Sequence, residues 1–194
     1  SNAWGSDGVQ QCISATTSGF SVTSGSMNKP TNGGPGSYPS IFTGCHYNNC
    51  SANSPFPARF SSLGPVTSTV NITTAPGEWN AAYDIWFDPT NRRDGQNTGT
   101  EIMVWINHQG RPLPAGSKVG TANLEGATWD VWIERFGGSG SGGWNVISYL
   151  RQQPVTSFSG SLSAFARDAA TRRDGRCAPQ GTCVDLNWYL TSVQ

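Results

Sequence analysis

Residues 100–106 read Thr100-Glu101-Ile102-Met103-Val104-Trp105-Ile106. Successive side chains of an extended strand point to opposite faces. Ile102, Val104 and Ile106 therefore make one unbroken β-branched face, and that face must be core. Glu101, Met103 and Trp105 share the other. A carboxylate in line with a thioether and an indole is poorly suited to open solvent, but it suits the floor of a cleft. The run before it repeats the arrangement: Tyr83, Ile85 and Phe87 read as the buried face, with Asp84 and Trp86 opposite. Between the two runs, residues 88–99 are rich in Asn, Asp, Gly and Arg, which predicts an antiparallel hairpin. With the inward faces coincident, Asp84 and Glu101 become close neighbours that compete for a proton, and their pKa values are pushed apart. A strand with one polar, solvent-facing side is just as ordinary, so the pattern alone leaves both readings open.

The same alternation continues outward. Short alternating runs at 11–15, 19–23, 68–72, 81–87, 100–106, 118–122, 128–135, 144–150 and 187–193 are separated by turn clusters. Asn32-Gly33-Gly34-Pro35-Gly36 and the glycine-serine stretch 137–143 are examples. This is the pattern of an all-β sandwich or jelly roll. One segment departs from it. Leu162, Phe165, Ala166 and Ala169 recur at i, i+3, i+4 and i+7, which predicts one amphipathic helix within 161–173, packed on the outside of a sheet. No repeat or long linker divides the chain, so residues 1–194 are expected to form a single domain.

Lys plus Arg and Asp plus Glu each number 12, giving a formal net charge of zero. A nucleic-acid or anionic-membrane partner would call for a basic excess, and there is none. Charged residues are 12% of the chain, roughly half the usual share. In their place stand 24 Gly, 12 Pro, 8 Trp and long Ser/Thr/Asn stretches. Such a surface suits a neutral, polar partner. Carbohydrate is one, because flat aromatic rings stack on the apolar faces of sugars. No apolar run approaches the roughly 20 residues that span a bilayer. No charged segment leads into an apolar one either, so any signal peptide is expected to have been removed.

Cys45 and Cys50 flank four residues, and Cys177 and Cys183 flank five, in Gly/Asn/Pro-rich surroundings. Both pairs read as short disulfide-closed loops of a secreted, extracellular protein. Zinc is the competing reading, but no C-x2-C spacing is present. Cys12 is left over. Of the four glutamates, Glu78 and Glu125 read as solvated charges, and Glu134 as an exposed strand end running into a glycine-rich tip. His46 lies inside the Cys45–Cys50 loop and His108 beyond a strand end. Neither has a nucleophile-elbow context or a second ligand at metal spacing, so no triad and no metal site is expected.

Several segments, in order, resemble glycoside hydrolase family 12, the small endo-β-1,4-glucanases with a β-jelly-roll fold. They are Ser37-Tyr38-Pro39-Ser40-Ile41-Phe42 leading into Gly44-Cys45-His46-Tyr47-Asn48-Asn49-Cys50, then Tyr83-Asp84-Ile85-Trp86 and Thr100-Glu101-Ile102-Met103-Val104-Trp105. Pro114-Ala115-Gly116-Ser117, Trp129-Asp130-Val131-Trp132 and Trp188-Tyr189-Leu190-Thr191-Ser192-Val193-Gln194 follow. The resemblance covers essentially the whole chain and is of the bacterial, actinomycete type. It implies a sandwich of two antiparallel sheets with a concave substrate cleft. It also implies Glu101 as nucleophile, Asp84 as the residue that orients it, and Trp4, His46, Met103, Trp105 and Pro114 as substrate-binding residues. Pro114 falls in the loop, called the cord, that closes across the substrate. The Cys177–Cys183 loop is not part of the family's pattern and reads as a local insertion.

The implied chemistry is retaining hydrolysis of β-1,4-glucans, with no cofactor and with a monomeric enzyme as the default. It requires two carboxyl groups about 5–5.5 Å apart. The family's acid/base glutamate follows the Ser-Val-Gln segment, about four positions beyond Gln194. The family's N-terminal strand carries the cysteine that pairs with the one aligned to Cys12. Both oddities point to a chain trimmed at both ends, and a protein ending at Gln194 is expected to hydrolyse little. A non-catalytic carbohydrate-binding module, or a structural or adhesive sandwich, would share the composition. Release of reducing sugar and binding of oligosaccharide separate the three readings.

Overall fold

The computed structural model describes residues 2–3, 9–137 and 142–194. Its strands are β1 (Asn2–Ala3), β2 (Gln11–Ala15), β3 (Phe20–Gly25), β4 (Ser37–Tyr38), β5 (Thr43–His46), β6 (Asn49–Cys50), β7 (Ala58–Arg59) and β8 (Thr67–Asn71). They continue with β9 (Trp79–Asp88), β10 (Thr100–Gln109), β11 (Ser117–Leu124), β12 (Ala127–Phe136), β13 (Trp144–Arg151), β14 (Ser157–Ser161) and β15 (Tyr189–Val193). One α-helix, α1 (Leu162–Thr171), follows β14, and a 3-10 turn covers Phe60–Ser62. Nine strands join in one sheet, ordered β11-β12-β13-β10-β9-β15-β5-β6, with β7 also on β15. The pairs β1–β4, β2–β3 and β8–β14 form separate ladders.

The fold is an open, mostly β jelly roll. All nine runs expected to be strands are strands. The five further strands between β4 and β14 that the pattern did not reveal are short, two to five residues each. Pieces of that length carry no readable alternation, and Ser157–Ser161 reads only SFSGS. The expected hairpin forms, with β9 antiparallel to β10. One pair departs from wholly antiparallel sheets: β13 lies parallel to β10. Parallel neighbours need a crossover rather than a tight turn. Here the β11–β12 hairpin is the crossover, returning the chain through β12 to lay β13 against β10.

The faces sort as alternation requires. Tyr83, Ile85, Phe87, Ile102, Val104, Ile106, Trp129, Val131, Ile133, Ile147 and Tyr149 form the core side of the large sheet. Phe158 of β14 and Leu162, Phe165, Ala166 and Ala169 of α1 close over it. Phe165 is the wedge, edge-on to Trp129 at 4.9 Å and to Tyr149 at 5.1 Å between ring centroids. The helix ends on a second tie to the same sheet. Asp168 accepts from the Tyr149 hydroxyl at 2.7 Å and from Arg172 Nε at 2.6 Å. Cys45–Cys50 and Cys177–Cys183 are bonded, and Cys12 is free and exposed.

Candidate active site

On the other face of the large sheet, strand register sets two rows of side chains across the strands. One runs Glu134, Val146, Glu101, Trp86, Ser192, Gly44. The next runs Trp132, Ser148, Met103, Asp84. Gln194 extends it, exchanging both backbone hydrogen bonds with Asp84 at 2.9 and 3.0 Å. Asp84 thus stands directly opposite Met103 and diagonally from Glu101, within reach of a carboxyl side chain.

The two carboxyls are electrostatically one unit. Burial, then the charge of Asp84, pushes Glu101 well above the ordinary glutamate range. The indole N–H of Trp144 opposes this, donating to Glu101 Oε2 at 2.8 Å. Burial also pushes Asp84 up, to about 6, against the pull of the Tyr38 hydroxyl, which donates to Oδ2 at 2.5 Å. Asp84 Oδ1 has no ordinary donor. A proton on Glu101 hydrogen-bonded to Asp84 supplies one, so the pair titrates as a unit that shares a proton. Burial and the adjacent carboxylates hold the Tyr38 phenol protonated, far above its usual range.

Aromatic rings wall this pair. Trp144 tilts over Trp86 at 6.1 Å and over Phe136 at 5.4 Å. The indole nitrogens of Trp105 and Trp132 and the hydroxyl of Ser148 are buried with no partner, while the Trp86 indole faces Asp84 as a weak donor that helps hold its pKa down. All four belong to the same sheet face as Glu101.

The remaining sequence candidates are placed as follows. Trp105 continues the face beyond Met103, its ring 6.3 Å from that of His108. His46, two residues past Gly44 on β5, meets the end of the Asp84 row only through its side chain, with Nδ1 3.0 Å from Gln194 Nε2, and half-burial lowers its pKa towards the neutral ring. Pro114 is buried in the connection from β10 to β11. That connection comes back to the row of Glu134: Gly116, at φ +82°, lies so close to the Ile133 carbonyl that a Cβ would overlap it. Trp4 lies outside the described residues. Glu78 and Glu125, expected as solvated charges, both have partners. Glu78 pairs with Arg111 at 2.7 Å, and Glu125 accepts from the Ser161 N–H at 2.8 Å. Among the described residues no three His, Cys, Asp or Glu side chains gather as a metal site.

Tyr38 and Trp144 were not singled out from sequence. Tyr38 sits in a two-residue strand without a period. Trp144 does alternate with Val146 and Ser148, but its meeting with Glu101 depends on the parallel β10–β13 pairing, which no local pattern signals.

The family model described as glycosyl hydrolase family 12 matches residues 1–194. The chain is 34% identical over 131 residues to the probable cellulase Cel12b of Mycobacterium tuberculosis, covering 67% of this chain and 76% of that protein. To Endoglucanase S of Pectobacterium parmentieri it is also 34% identical over 131 residues, covering 66% of this chain but only 49% of that protein. Among solved structures, endo-1,4-β-glucanase CelB2 superposes with a TM-score of 0.84 at 42% identity, over 99% of this chain and 80% of that one. A family 12 xyloglucanase from Bacillus licheniformis does so with a TM-score of 0.80 at 31% identity, over 99% and 81%. With its model spanning every residue and its fold shared by these enzymes, the chain belongs to glycosyl hydrolase family 12.

Proposed function

We propose that this glycoside hydrolase cleaves β-1,4-glucosidic bonds within glucan chains by retaining double displacement, with Glu101 as nucleophile. The observation that carries the reading is Glu101 itself. It is a half-buried carboxyl on an aromatic-lined sheet face, fixed through one oxygen by Trp144 and paired with Asp84. With Oε2 held by Trp144, the carboxyl is oriented, and loss of the shared proton leaves its other oxygen to approach an anomeric carbon. Attack requires the anion, so the shared proton must leave Glu101, and Asp84, whose pKa is near 6, is placed to take up the change.

The Glu101–sugar ester then forms as the glycosidic C–O bond breaks. A second carboxyl about 5–5.5 Å away protonates the leaving oxygen and afterwards deprotonates the attacking water, so the product keeps its β configuration. We assign that role to a residue following Gln194. Trp4, His46, Met103, Trp105 and Pro114 are assigned to the substrate. Relatives named for cellulose and relatives named for xyloglucan share the β-1,4-glucan backbone, which is the substrate feature we assign. The two short disulfide loops support action outside the cell, and we take the working unit as a monomer.

The test is reducing-sugar release by the full-length protein on carboxymethylcellulose, with the first-formed anomer read by proton NMR. Release of β product supports the reading. Binding without release would instead make the domain a carbohydrate-binding module, and an α product would exclude the double displacement.

A further inference from the structure

The loop closed by Cys177–Cys183 grips the large sheet from the core side, behind Glu101. Its main handle is Asn145, which is fully buried. The Asn145 side-chain NH₂ shares its hydrogens among the carbonyls of Ala178 at 2.9 Å, Cys183 at 3.1 Å and Thr182 at 3.4 Å. Its oxygen accepts from the Ala178 N–H and from Arg135 Nη1, both at 2.9 Å. Thr100, equally buried, donates its hydroxyl to the Cys183 carbonyl and lies 3.4 Å from Asn145 Nδ2. Just before the loop, Arg176 donates to the Ile133 carbonyl at 2.8 Å and to Ser117 Oγ at 2.7 Å.

Each of these anchors adjoins a residue of the opposite face. Thr100 precedes Glu101, Asn145 follows Trp144, and Ile133 precedes Glu134. Alternation turns the anchor towards the core and its neighbour towards the cleft. Thr100 and Asn145 are also partners in the parallel β10–β13 ladder, and the Asn145 N–H donates to the Gly99 carbonyl at 3.0 Å. A parallel pair has no hairpin turn to fix its register. Here the loop is bonded to both strands, through Asn145 of β13 and Thr100 of β10. A slide of about 1 Å between these strands would take the Trp144–Glu101 contact out of hydrogen-bond range.

We propose that the Cys177–Cys183 loop is a positioning element for the nucleophile, holding β13 against β10 through Asn145 and Thr100 at the height where Trp144 donates to Glu101. The proposal rests on the reading of Glu101 as nucleophile. It gives a task to a loop that the family resemblance had left as a local insertion.

The test uses the full-length protein and 2,4-dinitrophenyl 2-deoxy-2-fluoro-β-cellobioside. Its leaving group departs without protonation, so the labelling rate reports the nucleophile alone. Wild type, Asn145→Ala, Cys177→Ser/Cys183→Ser and Trp144→Phe are compared per folded molecule, at a temperature where circular dichroism shows each one native. For Asn145→Ala the maximal labelling rate is expected to fall about tenfold or more, with the reagent's binding constant within about twofold. The acid limb of the rate–pH profile should move upward, because Glu101 loses a donor that stabilises its anion. Trp144→Phe, which leaves the loop intact, should reproduce the pH shift. If Asn145→Ala does not fold, the double serine variant is read in the same way. Variants that lose thermal stability but keep the wild-type rate and pH limb would make the loop a stabilising staple only and overturn the proposal. A wild type that takes no label on Glu101 would overturn the nucleophile assignment itself, a failure distinct from the first.

Discussion

Asp84 and Asp88 stand four residues apart on β9, and only 3% and 0% of their surfaces meet solvent. Burial pushes both carboxyls up, and there the likeness ends. Asp88 is enclosed by donors from its own loop. Thr90 N–H and hydroxyl reach Oδ1 at 2.9 and 2.6 Å, while Arg92 Nε and the Thr98 N–H and hydroxyl reach Oδ2 at 2.7, 2.9 and 3.3 Å. These bonds outweigh the burial and hold it below the ordinary aspartate range. Asp84 receives one strong donor, Tyr38, and faces a second carboxyl, so burial wins and its pKa rises to about 6. The same residue type on the same strand is a structural clamp in one place and a proton-holding partner in the other. The number of donors that the neighbouring segments supply decides which.

Breaking either side of this contrast should have opposite consequences. The largest effect belongs to the partner that Asp84 serves: Glu101→Gln is expected to lower turnover of β-glucan by about 10⁴-fold or more. Calorimetric affinity for cellotetraose should stay within a few-fold, and a loss of turnover below tenfold would remove Glu101 from the nucleophile role. Asp88→Asn should act on stability instead, costing about 2–4 kcal/mol in urea unfolding, because it strips charge from a saturated buried site and leaves Arg92 short of a partner. Its turnover per folded molecule should remain near wild type.

Asp84→Asn should show the converse, with turnover falling about 10- to 100-fold and stability at pH 7 rising by on the order of 1 kcal/mol. The smallest effect is a slope. Asp84 and Glu101 have folded-state pKa values above those of the unfolded chain, so the native protein binds the extra proton. Their contribution is greatest below about pH 4; that of Asp84 is lost as pH rises through about 6, and that of Glu101 as pH rises through its own raised value. Asp88 has a depressed folded-state pKa, so its contribution is present above about pH 4 and is lost as pH falls through that lower value. Urea midpoints between pH 4 and 7 should therefore decline less in Asp84→Asn than in wild type, and equal slopes would separate Asp84 from the proton.

Much of this was legible in the sequence wherever a rule of period two applied. The alternation in Tyr83–Phe87 and Thr100–Ile106 separated the core face from the opposite one, and the i, i+3, i+4, i+7 apolar set gave α1. The hairpin between them brought Asp84 to the Glu101 face, although register sets it diagonally, opposite Met103. What escaped was set by long-range pairing. Tyr38 reaches Asp84 from a two-residue strand, and Trp144 reaches Glu101 across a parallel ladder created by a crossover. The donors to Asp88 looked like ordinary loop residues, and Asn145 looked like one polar residue in a buried strand. Its partners lie 33 to 38 residues later in a loop whose position only the fold defines.

Labelling the full-length protein with 2,4-dinitrophenyl 2-deoxy-2-fluoro-β-cellobioside, followed by peptide mass spectrometry, tests the central claim most directly. A single fluorocellobiosyl group esterified to Glu101 is the expected result. A label on Asp84 or Glu134, or dinitrophenol release with no covalent adduct, would contradict it.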